Sequence, residues 1–173
     1  MKTLFDRDIY DNFTENLLVN TQRFLWIATA NIKMTVVRFK NRFVPFPDIM
    51  SILINRGVGI RIIHSELPSA PFRQRYDKID NKGQLSSSVE FLYCPRMHAK
   101  IFIVDGIFGL IGSANLTGAG IGVKARNKRN FEVGLLLENE METRPFMEYF
   151  DTIWMGDQCK DCRRKDICPG PLC

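Results

Sequence analysis

Apolar positions along this chain gather into short runs separated by polar and turn-forming stretches. "RFLWIATANI" (23–32), "GIRIIHS" (59–65), "VEFLYC" (89–94), "HAKIFIVD" (98–105), "FGLIGSAN" (108–115) and "FEVGLLLE" (131–138) read as strands. "DIMSILINRG" (48–57) reads as a helix, opened by Pro47 and Asp48 and stopped by Gly57. Residues 5–19 and "METRPFMEYFDTIWMG" (141–156) supply two further helices. The order strand, helix, strand over 23–65, with short links, implies a right-handed crossover and a parallel pair. Between the first strand and that helix lies a basic, aromatic-dotted connection ending in "RFVPFPDIM". Residues 67–88 are polar and Ser/Pro-rich and read as loop with at most one short helix. No internal repeat is present. The pattern predicts an α/β fold: a mixed sheet, parallel strands first and an antiparallel set after, sandwiched by helices.

Length and composition narrow the class without naming a function. At 173 residues, with 45% apolar and 25% charged positions, the chain has the makings of one globular domain with a core of its own. The stretch "MKTLFDRDIYDNFTENL" carries acids where a secretory signal needs an apolar run, and no segment approaches the roughly 20 apolar residues of a membrane span. A cytoplasmic location is the expectation. The division expected is a catalytic domain over 1–157 and a cysteine-rich tail over 158–173.

The formal net charge of +5 is unevenly spread. No acid falls between Glu15 and Asp48, an interval holding Arg23, Lys33, Arg38, Lys40 and Arg42. None falls between Asp105 and Glu132, where Lys124, Arg126, Lys128 and Arg129 cluster. Such runs fit an anionic partner, and they equally fit solvated basic loops.

The candidate chemistry lies in "RMHAKIFIVDGIFGLIGSAN" (96–115). Asp105-Gly106 between two apolar runs is a two-residue hairpin signal, because both residues tolerate positive φ. That turn sets Val104 opposite Ile107, His98 opposite Ser113 and Arg96 opposite Asn115, with paired numbers summing to 211. With side chains alternating faces, His98, Lys100, Ser113 and Asn115 then share one face at the hairpin's open end. No acid lies on that face, and a buried lysine without a counter-charge is costly. An external phosphate supplies the missing partner, held by Lys100, the Asn115 amide and the Ser113 hydroxyl. Gly112 leaves room for close approach. His98 beside that phosphate is a candidate nucleophile or general acid. A bare H-x-K pair also fits the wet end of an ordinary strand.

H-x-K-x4-D-x6-G-S-x-N, realised as His98, Lys100, Asp105, Gly112, Ser113 and Asn115, resembles the signature of the phospholipase D superfamily. "IATANI…PDIMSILINRGVGIRII" is similar to its first strand–helix–strand and "NFEVGLLLE" to its strand after the motif, so the likeness covers residues 20–150. The resemblance implies a phospholipase D-like fold and a phosphodiesterase working through a phosphohistidine, with no cofactor for catalysis. It implies that His98 is nucleophile or acid, that Lys100 and Asn115 bind the non-bridging oxygens and that Ser113 supports the phosphate or the histidine. Glu132 resembles the carboxylate that orients the imidazole. Asp105 and Gly112 read as structural members of the motif, Asp105 holding the turn. The chemistry needs two histidines. His64 is the only other one and reads as a loop residue, so a homodimer with one composite site is expected, two copies of His98 meeting at one phosphate.

The superfamily does not choose the substrate. Nucleic acid, DNA or RNA, is the leading class, with the two basic runs as the candidate surface: Lys33, Arg38, Lys40 and Arg42, then Lys124, Arg126, Lys128 and Arg129. Phe39, Phe43 and Phe46 interleave with the first run, as stacking faces or as core. A phospholipase D-type lipid hydrolase or transphosphatidylase on anionic phospholipid is the alternative, and an inactive nucleic-acid-binding module the third reading.

"CKDCRRKDICPGPLC" places Cys159, Cys162, Cys168 and Cys173 at C-x2-C-x5-C-x4-C, a tetrathiolate spacing for zinc or a [4Fe–4S] cluster. Its first three cysteines resemble the C-terminal staple of iron–sulfur exonucleases of the RecB type, whose fourth ligand lies far upstream. Cys173 is the favoured fourth ligand here and Cys94 the alternative. Cys94 otherwise reads as a core residue.

Overall fold

The computed structural model describes residues 1–80 and 83–169. In chain order it holds β1 (Lys2–Phe5), α1 (Arg7–Asp11) running on into a π-helical stretch (Asn12–Leu18), β2 (Phe24–Thr29), β3 (Val36–Phe39) and β4 (Arg42–Pro45). Then come α2 (Phe46–Ile54), β5 (Gly59–His64), α3 (Ala70–Ile79), α4 (Gln84–Ser88), β6 (Val89–Tyr93), β7 (Lys100–Val104), β8 (Phe108–Gly112), β9 (Val133–Leu137) and α5 (Glu140–Trp154).

Seven strands join in the order β1-β9-β8-β7-β2-β5-β6. β2, β5 and β6 are parallel, as the short strand–helix–strand links require, and β7, β8, β9 and β1 complete the sheet antiparallel. The protein is therefore a mixed sheet between helical layers. β7 is buried at every position, since it runs through the middle of the sheet and is covered on both faces. On one face Leu25, Ile27, Phe102, Val104 and Leu110 pack against Phe13 and Leu17 of the first helix and Ile49 and Leu53 of α2. On the other, Ala28, Ile101 and Ile103 pack against Phe150 of α5.

Local chemistry explains the helix limits. α2 begins with proline in its first turn and is followed by Gly57 at φ +84°. α5 is capped by Asn139, whose side chain accepts from the Glu142 amide at 3.0 Å.

Three expectations need correction. The segment read as loop over 67–88 contains α3 and α4. α3 starts at a Ser-Ala-Pro turn and buries Phe72 in a sequence too polar to show a helical stripe. The basic connection folds into the β3–β4 hairpin, closed by Lys40 and Asn41 at positive φ. β1 was not expected at all: four residues with one buried side chain, Leu4, carry almost no pattern, and β9 supplies the pairing.

Candidate active site

The hairpin of β7 and β8 positions the site. Asp105 (φ +56°) and Gly106 (φ +77°) form the expected tight turn, and the Ile107 amide donates to the Val104 carbonyl at 3.1 Å. The ladder, however, resumes one residue later than expected. Val104 pairs with Phe108 and Lys100 with Gly112, so pairs sum to 212 and Ile107 bulges out of register. His98 is thus not opposite Ser113, nor Arg96 opposite Asn115; β7 begins only at Lys100, and Ser113 and Asn115 lie beyond β8. His98, Ser113 and Asn115 are placed by the loops at that end rather than by strand pairing. At the turn, the Asp105 carboxylate accepts from the backbone amides of Gln22 (2.9 Å), Arg23 (2.8 Å) and Phe24 (2.9 Å), and the Arg23 guanidinium donates to the Asp105 carbonyl at 2.5 Å. Asp105 ties the hairpin to the start of β2.

His98 is exposed, on the loop leading into β7. Lys100 is only 7% exposed. Its ammonium donates to the His98 carbonyl at 2.5 Å and lies 3.4 Å from the imidazole Nδ1. Among the described residues it makes no ion pair. Burial holds Lys100 below the ordinary lysine value, while the charge of Glu132 pulls the other way.

The Ser113 hydroxyl donates to Glu132 Oε2 and accepts from the Val133 amide at 3.1 Å. Glu132 Oε1 accepts from the Asn130 side chain at 3.0 Å, and the Glu132 backbone amide donates to Asp6 at 2.9 Å. The expected contact between Glu132 and the imidazole is not what the carboxylate makes: its hydrogen bonds go to Ser113 and Asn130. Asn115 Oδ1 accepts from the Thr29 hydroxyl (3.1 Å) and the Asn31 amide (3.2 Å), which leaves its NH₂ to donate. Thr29, fully buried at the end of β2, also accepts from the Leu116 amide at 3.2 Å. Thr29 and Asp6 are supports that the motif did not reveal. A threonine ending a buried parallel strand was the available signal for the first; Asp6 carried none.

Gly112 has a different role from the one expected. A Cβ there would stand 2.2 Å from the Val133 carbonyl oxygen and 2.7 Å from the Gly134 Cα, so the missing side chain accommodates β9 rather than a ligand. Gly120 does the same behind Asn115, where a Cβ would lie 2.6 Å from the Asn115 carbonyl oxygen.

His64 is in β5 and buried, not in a loop. Its Nδ1 is 2.9 Å from the Glu66 carbonyl, and the rings of Phe91 and Tyr93 meet it edge-on. Burial lowers its pKa, opposed by the Glu66 contact. Of the first basic run, Lys33, Lys40 and Arg42 are exposed and Arg38 pairs with Glu15 at 2.7 Å. Lys124, Arg126 and Lys128 are exposed and Arg129 is half-buried. Phe39 and Phe46 belong to the core, whereas Phe43 is 67% exposed and Phe131, beside Glu132, 95%. Cys94, Cys159, Cys162 and Cys168 are half-buried free thiols, and Cys173 lies outside the described residues. No three His, Cys, Asp or Glu side chains among the described residues are grouped closely enough to hold a single metal ion. No helix among them is long and apolar enough to cross a membrane.

Residues 17–154 match the family described as cardiolipin synthase, PLD-like domain. The chain belongs to this phospholipase D-like family. The phospholipase D-like fold is also that of NucT from Helicobacter pylori, at a TM-score of 0.60 and 14% identity over 88% of this chain and 95% of that one. Nuc from Salmonella typhimurium, a phospholipase D family member, superposes at 0.55 with 17% identity over 88% and 93%. TrmBL2, an archaeal chromatin protein with a novel mode of DNA binding, superposes at 0.56 with 14% identity over 89% of this chain and 52% of its own. No curated protein matches the chain. At these identities the likeness is one of phospholipase D-like architecture.

Proposed function

We propose that the protein is a phosphodiesterase that cleaves nucleic acid through a phosphohistidine on His98, as a homodimer with one composite site. One observation carries the reading: a buried ammonium, Lys100, that makes no ion pair among the described residues and lies 3.4 Å from the exposed His98 imidazole. A buried cation without an anion is a standing cost, which a bound phosphoryl group removes.

In this reading Lys100 and the Asn115 NH₂ hold the non-bridging oxygens. The His98 imidazole attacks phosphorus, a P–N bond forms and the bond to the leaving oxygen breaks. A second imidazole gives that oxygen its proton, then takes one from the water that hydrolyses the P–N bond. His64 is buried and bound to Glu66, so within one chain no second histidine is free to serve; a partner copy of His98 is the source. Glu132 holds Ser113 and offsets part of the charge of Lys100. The cofactor-free chemistry belongs to this proposal.

Nucleic acid is favoured over phospholipid by the exposed cations Lys33, Lys40, Arg42, Lys124, Arg126 and Lys128 and by the solvent-facing rings of Phe43 and Phe131. The test is incubation with labelled single- and double-stranded DNA, RNA and anionic phospholipid vesicles in EDTA, with His98→Ala alongside. The expected result is cleavage of nucleic acid in chelator, at least 10³-fold slower in the variant. Cleavage that EDTA abolishes, or that His98→Ala retains, overturns the mechanism; cleavage of phospholipid alone overturns the substrate.

A further inference from the structure

The four described cysteines come from distant parts of the chain and line one cavity of about 300 Å³, together with Arg96 and Met97. Cys94 follows β6. Cys159, Cys162 and Cys168 follow α5, which ends at a turn with Gly156 at φ +81°. The segment that carries the last three has no apolar core. From 157 to 169 every residue is exposed except those three cysteines, and Ile167 is 57% exposed. It is nonetheless docked: the Arg164 guanidinium donates to the Pro95 carbonyl at 2.9 Å, and the Cys168 Sγ lies 3.9 Å from the Tyr93 carbonyl oxygen. A segment that turns only thiols inward gains too little from apolar burial to offset the entropy of ordering it. A covalent or coordinate link is the remaining source of order, and the thiols are not paired as disulfides.

We propose that Cys94, Cys159, Cys162 and Cys168 ligate an iron–sulfur cluster, with Cys94 rather than Cys173 as the fourth thiolate. Tetrahedral zinc at a Zn–S distance of about 2.3 Å draws its four sulfurs to within about 3.8 Å of one another. No three of the described side chains are grouped closely enough to hold one metal ion, and all four cysteines line the same cavity. A four-iron cluster, with one thiolate on each iron at the corners of a cube, holds its ligands further apart and fills such a space. Soft thiolates from two segments are the donor set that selects it. The consequence is local: the cluster clips the tail to 94–97, the four residues that lead directly into His98.

The test uses the full chain purified without oxygen and, in parallel, reconstituted with ferrous iron and sulfide. About four irons and four sulfides per chain are expected, with a broad visible absorbance that dithionite bleaches. Cys94→Ser loses both, and Cys173→Ser keeps them. Alkylation mapped by mass spectrometry on the unmutated protein gives a readout that needs no variant to fold: Cys94, Cys159, Cys162 and Cys168 are protected and Cys173 is modified, until the cluster is stripped. One zinc per chain without iron, no iron after reconstitution, or protection of Cys173 with modification of Cys94 would each overturn the proposal. Because these readouts do not use phosphodiester cleavage, they stand or fall separately from it.

Discussion

In the proposed mechanism the chemistry turns on Lys100. Its stem lies in the sheet, its ammonium reaches back to the His98 carbonyl, and burial keeps it less basic than a solvated lysine. The sign of that shift makes a prediction. A lowered pKa means that the ammonium loses its proton at a lower pH than the ordinary 10.5, so the attraction for phosphate is lost earlier on the alkaline side. The kcat/KM profile, which reports the free enzyme, should therefore break downward below pH 10.5. Lys100→Met should lack that limb and lose about 10²-fold or more in kcat/KM. A profile flat to the lysine value would show that this ammonium does not act on the substrate. The candidates His98, Lys100 and Asn115 were named from the motif's spacing and its resemblance to the phospholipase D signature. Their supports were not: Thr29 and Asp6 reach the site across 86 and 126 residues of sequence, and only the folded sheet brings them there.

At the scale of elements, the strands with strong apolar runs were legible because sheet burial forces it on them: β2, β5, β6, β7, β8 and β9 all fall within the expected segments. α3 and α4 were hidden by polar sequence, and β1 by brevity. The hairpin shows where pattern reading stops. Asp-Gly specifies the turn, but nothing in the run "DGIFGLIG" distinguishes a ladder that restarts at Ile107 from one that restarts at Phe108. β8 and β9 approach closely at Gly112, where an added Cβ meets main chain rather than a side chain able to turn away. Gly112→Ala should consequently cost roughly 3 kcal/mol in a urea melt, with the m-value unchanged. A stability equal to the parent would mean that the two strands do not lie as described.

At the scale of the whole molecule, the proposed function joins the basic surface to the exposed side of the site. His98, Gly112 and Ser113 are exposed, whereas Lys100 is buried and Asn115 and Glu132 are half-buried; the proposed second copy would meet the exposed side. Eight exposed cations stand in the two acid-free stretches; Arg23 is bonded to Asp105 and Arg38 to Glu15, which leaves six. If they track a single strand, log K should fall with log salt at a slope between about −2 and −4, and the double variant Lys124→Ala/Lys128→Ala should flatten it by about 1. Binding measured by fluorescence anisotropy across salt concentrations checks this, and an affinity indifferent to salt would exclude phosphate tracking by these loops.

The extra residue at the hairpin's tip, Ile107, reaches further than its position suggests. Were it drawn into the ladder opposite Val104, the strands would slide by one rung, and Ile111 in place of Gly112 would stand across from Lys100. The two ends are about 13 Å apart along the ladder at 3.3 Å per residue. Ile107 acts as a spacer by staying out of the ladder: a tip that let it pair would crowd the ammonium with a bulky aliphatic group without a single change in the motif's sequence.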